Sequence, residues 1–202
     1  HNVENCTNYY SDLNLEKQRA LNIRCKAFKK LDKHLVDFDT NFTNNGGKLL
    51  WAKNTEDAKQ LIYDILSKER VKRIVKTKSI TLDEIGLTSF LEMKKIKFVD
   101  TNVGDFICSI SNERPYNIND SAAHKTTAQV ADLYTEKFGI KENCNAKQLT
   151  VCTKQILKED FNNPQAVITG ANFLISNSGT IVLTENEGNI LKSSTFTPIH
   201  IV

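Results

Sequence analysis

The chain has 202 residues, 40% of them hydrophobic and 25% charged. That is ordinary for a globular domain and excludes disordered, collagen-like and fibrous classes. A net charge of +3 is too small to argue for nucleic acid as a partner. No run of about 18 apolar residues is present, so no membrane span is expected. The five cysteines are odd in number and form no CxxC, which argues against a disulfide framework or a metal site made by this chain alone. Reduced thiols in the cytoplasm are the reading that follows. The first residue is His1, which reads as a fragment or a processed product.

Residues 1–12 are polar and aperiodic and read as a loose arm. A single long amphipathic helix is expected over about 14–44, because Leu21, Cys25, Phe28, Leu31, Leu35, Phe38 and Phe42 recur at spacings of three and four. Asn44-Asn45-Gly46-Gly47 would stop it. Lys48–Ala52 reads as a short strand, and Asn54-Thr55 as the start of a helix that turns Leu61, Ile62, Ile65 and Leu66 inward. A strand is expected at Val71–Val75. Thr81-Leu-Asp-Glu84 fits a capping box that would open the next helix. Ile96–Val99 follows as a strand, then helices near 104–110, 126–138 and 147–160. The last forty residues change character: Ala166–Thr169, Asn172–Ile175 and Thr180–Leu183 are β runs, with a fourth near Ile199. Strands alternating with helices predict an α/β fold: a parallel or mixed twisted sheet flanked by helices. Two regions are expected, an N-terminal arm with the long helix over 1–45 and one α/β domain over 46–202.

Three constellations can carry chemistry. Lys76, Lys78, Ser79 and Thr81 fall between a strand's carboxyl end and a helix start, where open α/β sheets bind ligands. Two ammonium groups, two hydroxyls and free backbone N–H groups suit a phosphate or carboxylate. The alternative is a lysine-rich surface loop before a capped helix. The second is Thr169-Gly170-Ala-Asn172 with Ser178-Gly179-Thr180, followed by Glu187 and Asn189. Small residues at strand ends let backbone N–H groups approach a ligand, although the same residues serve tight turns. The third is His124, whose imidazole can act as acid or base near neutral pH. Glu84 and His124 are the candidate catalytic pair. No metal-ligand set stands out.

Taken in order, several stretches form a pattern. They are Arg24 with the helix that ends at Gly47; Lys76-Thr-Lys-Ser-Ile-Thr-Leu-Asp-Glu-Ile-Gly-Leu87; Glu113-Arg-Pro115; His124-Lys-Thr126; and Ile168-Thr-Gly-Ala-Asn-Phe173 through Ser178-Gly-Thr-Ile-Val-Leu183 to Asn189. The chain resembles the lactate-utilisation (LUD) domain family, that of the iron–sulfur subunit of the bacterial L-lactate oxidation system. The resemblance implies a fold of the ribose-5-phosphate isomerase, glucosamine-6-phosphate deaminase and CoA-transferase type. It also implies a cytoplasmic role in oxidising L-lactate to pyruvate beside other subunits of the complex. No cofactor is expected within this chain; the resemblance places 4Fe–4S clusters in a ferredoxin-like part beyond Val202. Where relatives often carry an acid before the Ser/Thr-Gly-Thr turn, this chain has Asn177. Two alternatives stay open: an independent sugar-phosphate or CoA-thioester enzyme on the same fold, and a non-catalytic docking module.

Overall fold

The structure is a computed structural model, described for residues 9–116, 120–141, 144–184, 189–195 and 197–202. The chain divides into two compact units, residues 1–49 with 173–182 and residues 50–172 with 183–202.

The larger unit holds a four-stranded sheet in the order β2-β1-β3-β6, with every pairing parallel. Its strands are β1 (Arg73–Lys76), β2 (Lys97–Asp100), β3 (Ala166–Ile168) and β6 (His200–Ile201). Successive side chains on a strand point to opposite faces, and here both faces are covered. Ile74, Ala166 and Ile168 pack with Leu66 of α3 (Thr55–Lys68), Leu82 of α4 (Ile80–Glu84), and Leu87 and Leu91 of α5 (Leu87–Met93). Val75 and Val167 face the other layer. That layer contains Phe106 and Ile107 of α6 (Val103–Ser111), Val130 and Tyr134 of α7 (Thr127–Phe138), Leu149 of α8 (Ala146–Ile156) and Phe161 of α9 (Lys158–Asn162). Tyr134 is fully buried, and its hydroxyl is satisfied by Thr153 Oγ1 at 2.7 Å. The last helix, α10 (Asn189–Thr195), packs on α9.

Local sequence explains the helix starts. Asn54, Asn102, Thr126 and Asn145 each accept a backbone N–H of the first turn, and Thr126 and Asn145 do so in full capping boxes with Gln129 and Gln148. The capping box expected at Thr81 is absent. Ser79 is the N-cap, and α4 ends after five residues at the left-handed Gly86, so one expected helix is two short ones.

The smaller unit contains α1 (Leu13–Phe28), α2 (Leu31–Asn44) and an antiparallel hairpin of β4 (Phe173–Ile175) and β5 (Thr180–Val182). The single long helix is therefore broken at Lys29–Lys30, with no Gly or Pro to mark the break. Its stripe divides accordingly. Phe38 on α2 is buried and stacks on Phe42 at 5.3 Å, whereas α1 buries no residue and leaves Leu21 and Phe28 exposed. Residues 48–52, expected as a strand, belong to neither sheet. The hairpin is held to α2: Asn41 Nδ2 donates to Ser176 O at 2.9 Å and Asn45 Nδ2 to Ser178 O at 2.8 Å. Among the described residues no helix is long and apolar enough to cross a membrane. Cys25, Cys108, Cys144 and Cys152 are free thiols.

Candidate functional site

A cavity of about 830 Å3 opens at the carboxyl ends of β1 and β2, under α4, α5 and α6. The parallel register sets the last residue of β1, Lys76, directly beside the last residue of β2, Asp100. Lys76 Nζ lies 3.3 Å from Asp100 Oδ1 and 3.3 Å from Asp83 Oδ1 of α4. Both Lys76 and Asp100 are buried. Desolvation alone would lower the Lys76 ammonium, but the Asp100 and Asp83 carboxylates outweigh it and hold it above the ordinary lysine value. Burial pushes the Asp100 carboxyl above the usual carboxylate range, against the pull of Lys76.

Lys78 enters the same wall from the loop after β1. Its Nζ donates to Ser121 Oγ at 2.8 Å and lies 3.8 Å from Asp105 Oδ1, and Ser121 Oγ in turn donates to Asp105. Cys108 donates its thiol to Ser121 O at 3.2 Å; burial pushes that thiol up, and the Asp105 and Glu113 carboxylates add to the shift. The rim is formed by Glu113 and Arg114. Glu113 takes Lys125 Nζ at 2.7 Å and His124 Nε2 at 2.6 Å, and these two bonds hold its carboxyl below the usual range. Arg114 is exposed, lines the cavity, and makes no ion pair among the described residues.

The expected site residues therefore separate. Lys76, Lys78 and Glu84 come together in the cavity wall, with Glu84 exposed and unpaired among the described residues. His124 does not line the cavity; its Nε2 bonds Glu113, which does, and its ring lies 5.8 Å from that of Tyr116. Ser79 and Gly170 meet where the loops after β1 and β3 diverge: a Cβ on Gly170 would come within 2.7 Å of Ser79 Oγ. Thr81 is exposed outside the cavity. Thr169 Oγ1 is bonded to His200 Nε2 at 2.9 Å, and Asn172 Oδ1 accepts Thr184 N at 2.8 Å. Ser178 and Gly179 belong to the hairpin turn, and Thr180 opens β5. Ser178 Oγ donates to Thr180 Oγ1, and Gly179, at φ +63°, sits where a side chain would strike the Phe42 backbone. Glu187 lies outside the described residues; Asn189 begins α10, and its side chain lies outside them too.

Asp100, Arg114, Asp105 and Ser121 are among the cavity residues not singled out in the sequence. Asp100 ends a strand next to Lys76, and the rule that selected Lys76 applies to it equally. Arg114 sits inside Glu113-Arg-Pro115, a stretch noted only for its resemblance. Asp105 and Ser121 carry no local signal; helix α6 and a loop far along the chain bring them to Lys78. Among the described residues, no three His, Cys, Asp or Glu side chains converge to hold a metal ion.

Residues 35–202 match the profile of the family described as LUD domain. Lactate utilization protein B 2 of Bacillus mycoides (strain KBAB4) is 32% identical over 178 residues, which is 87% of this chain and 38% of that protein. Lactate utilization protein B of Bacillus thuringiensis (strain Al Hakam) and of Bacillus cereus (strain B4264) match to the same extent. The chain thus spans 38% of the length of the curated relatives it matches. No solved structure matches it.

Proposed function

The chain belongs to the LUD domain family, and from that premise we propose that it is the substrate-binding domain of a lactate-utilising oxidoreductase, working beside other subunits. One observation carries this reading. Of the three cations that line the cavity, Arg114 alone makes no ion pair among the described residues, whereas Lys76 and Lys78 lie against Asp100, Asp83 and Asp105. A planar guanidinium with parallel N–H donors is the natural partner of a carboxylate, which it binds in two hydrogen bonds. Arg114 would take the carboxylate of L-lactate, and the Lys78–Ser121–Asp105 network would orient the hydroxyl. Leu82 and Phe98 supply an apolar wall for the methyl group.

Oxidation of L-lactate to pyruvate breaks the C2–H and O–H bonds and releases two electrons and two protons. Glu84, exposed and unpaired in the cavity wall, is the base assigned to the hydroxyl proton. The C2 hydrogen is assigned, with its electron pair, to a hydride acceptor carried outside this chain, which passes the two electrons on to iron–sulfur clusters and releases the second proton, so the isolated domain binds lactate but does not turn it over.

The test is a thermal-shift panel with L-lactate, D-lactate, pyruvate, ribose 5-phosphate and CoA. A ligand at 100 times its dissociation constant adds about 2.7 kcal/mol, which for a chain of this size is roughly 5–10 °C. A shift with L-lactate or pyruvate that disappears in Arg114→Ala supports the reading. A shift with sugar phosphate or CoA alone replaces it by an independent enzyme, and silence throughout replaces it by a docking module.

A further inference from the structure

A second depression, of about 220 Å3, lies at the opposite end of the same sheet, where the chain enters β1 and β2. Its polar lining is Tyr63, Ser67, Arg70, Lys72 and Lys94. All three cations are exposed, none makes an ion pair among the described residues, and no carboxylate lines the depression. Lys94 Nζ lies 4.9 Å from the centre of the Tyr63 ring, which fixes one ammonium over one wall.

The backbone sets these cations in place. Helices α3 and α5 end in the same motif: Val71 N donates to Leu66 O and Arg70 N to Ser67 O, just as Ile96 N donates to Leu91 O and Lys95 N to Glu92 O. The left-handed position of that motif favours glycine, yet the first copy places Arg70 there at φ +55°. A cation at a helix C-terminus gains from the dipole, which accounts for Arg70 or Lys94 taken singly. It does not account for Lys72, which leads into a strand, nor for three cations around one small depression with no acid among its lining residues.

We propose that this depression is a binding site for a phosphate-type dianion, either free or as the phosphoryl group of a larger molecule. The volume suits one tetrahedral anion rather than a run of acidic side chains. The Arg70 guanidinium, two ammonium groups and the hydroxyls of Ser67 and Tyr63 supply donors to its oxygens. This inference is independent of the lactate reading, because the two sites share no residue.

The experiment is calorimetric titration of the chain with inorganic phosphate, with sodium chloride at equal ionic strength as the control. Saturable phosphate binding is expected, weakened at least tenfold in Arg70→Gly and in Lys72→Gln and unchanged in Arg114→Ala. Arg70→Gly puts the preferred residue at a left-handed position and Lys72 is exposed, so both variants are expected to melt with the parent in chloride. Glycerol 3-phosphate bound as tightly as phosphate identifies a phosphoryl group as the occupant; much weaker binding identifies the free ion. The proposal is overturned if phosphate gives no more heat than chloride. It is equally overturned if Arg70→Gly and Lys72→Gln bind phosphate like the parent, or if Arg114→Ala abolishes the binding.

Discussion

At the carboxyl ends of β1 and β2, Lys76 lies 3.3 Å from each of two aspartates and Lys78 is bonded to Ser121 beside Asp105. At the amino ends of the same strands, Arg70, Lys72 and Lys94 line a depression that has no acid in its lining. The larger cavity is the one a strand-end rule selects, yet its lysines are committed to internal partners. The smaller depression lies where that rule does not look, and its cations are free of ion pairs among the described residues. A lysine at a strand end is thus neutralised within the fold where the neighbouring strand ends in a carboxylate at the same height. In a parallel pair that condition depends on register, which places residues at equal height on two strands beside each other.

The strongest way to break the comparison is to remove the Lys76 charge. Lys76→Met leaves Asp100 buried without its cation, and breaking a buried pair on one side costs about 3–5 kcal/mol. Denaturant unfolding is expected to show that loss, and Lys76→Met/Asp100→Leu to recover most of it. The pH dependence follows from the directions of the shifts. Lys76 is raised, so its contribution is whole below the ordinary lysine value and is lost as pH rises through the higher folded value. Asp100 is also raised, so the folded chain holds a proton that the unfolded chain has released. Stability therefore falls as pH rises from the ordinary carboxylate value through the folded one. An alkaline stability limb that survives in Lys76→Met would contradict the first assignment.

Next in size is Arg114. Arg114→Ala is expected to weaken carboxylate binding at least tenfold, about 1.4 kcal/mol, with Arg114→Lys in between because an ammonium lacks the planar fork. Unaltered affinity in Arg114→Ala would move the anion to another part of the wall. Glu113 tests the rim. Its folded value is lowered, so its contribution is present above the ordinary carboxylate value and is lost as pH falls through the folded one. Glu113→Gln should flatten the acid limb, which denaturant unfolding at a series of acidic pH values would follow. The smallest effect belongs to the amino end. Arg70→Gly should change stability by no more than about 0.5 kcal/mol, because relief of the left-handed residue offsets the added freedom of the unfolded chain.

Much of the fold was legible because its signals are local. Asn54, Thr126 and Ala166–Ile168 announce their elements through caps and a short apolar run, and the alternation of strand and helix correctly implies a parallel sheet. The break at Lys29–Lys30 was not legible, since neither residue opposes helix and the stripe continues across it. The site was legible only along the chain. Lys76, Lys78 and Glu84 could be placed on one strand and its following turn, but the partners that neutralise the lysines come from β2, α6 and a loop. Ser178-Gly179-Thr180 illustrates the converse: its small residues answer to the close approach of Phe42, which no local pattern displays.

The hairpin at Phe173–Val182 has a bearing on how the polypeptide is made. It belongs with α2, yet it is synthesised roughly 130 residues later. At about 5–20 residues per second, the ribosome needs roughly 6–25 s to deliver the strands whose turn Asn41 and Asn45 hold. Throughout that interval the N-terminal helices must wait, while the central βα segments emerge and can begin to collapse. A truncation that ends before Phe173 should therefore yield helices without their partner, and a cut at residue 49 should leave a hairpin with nothing to hold its turn. The two units are interleaved in the order of synthesis, so neither can be finished before the hairpin at residues 173–182 has left the tunnel.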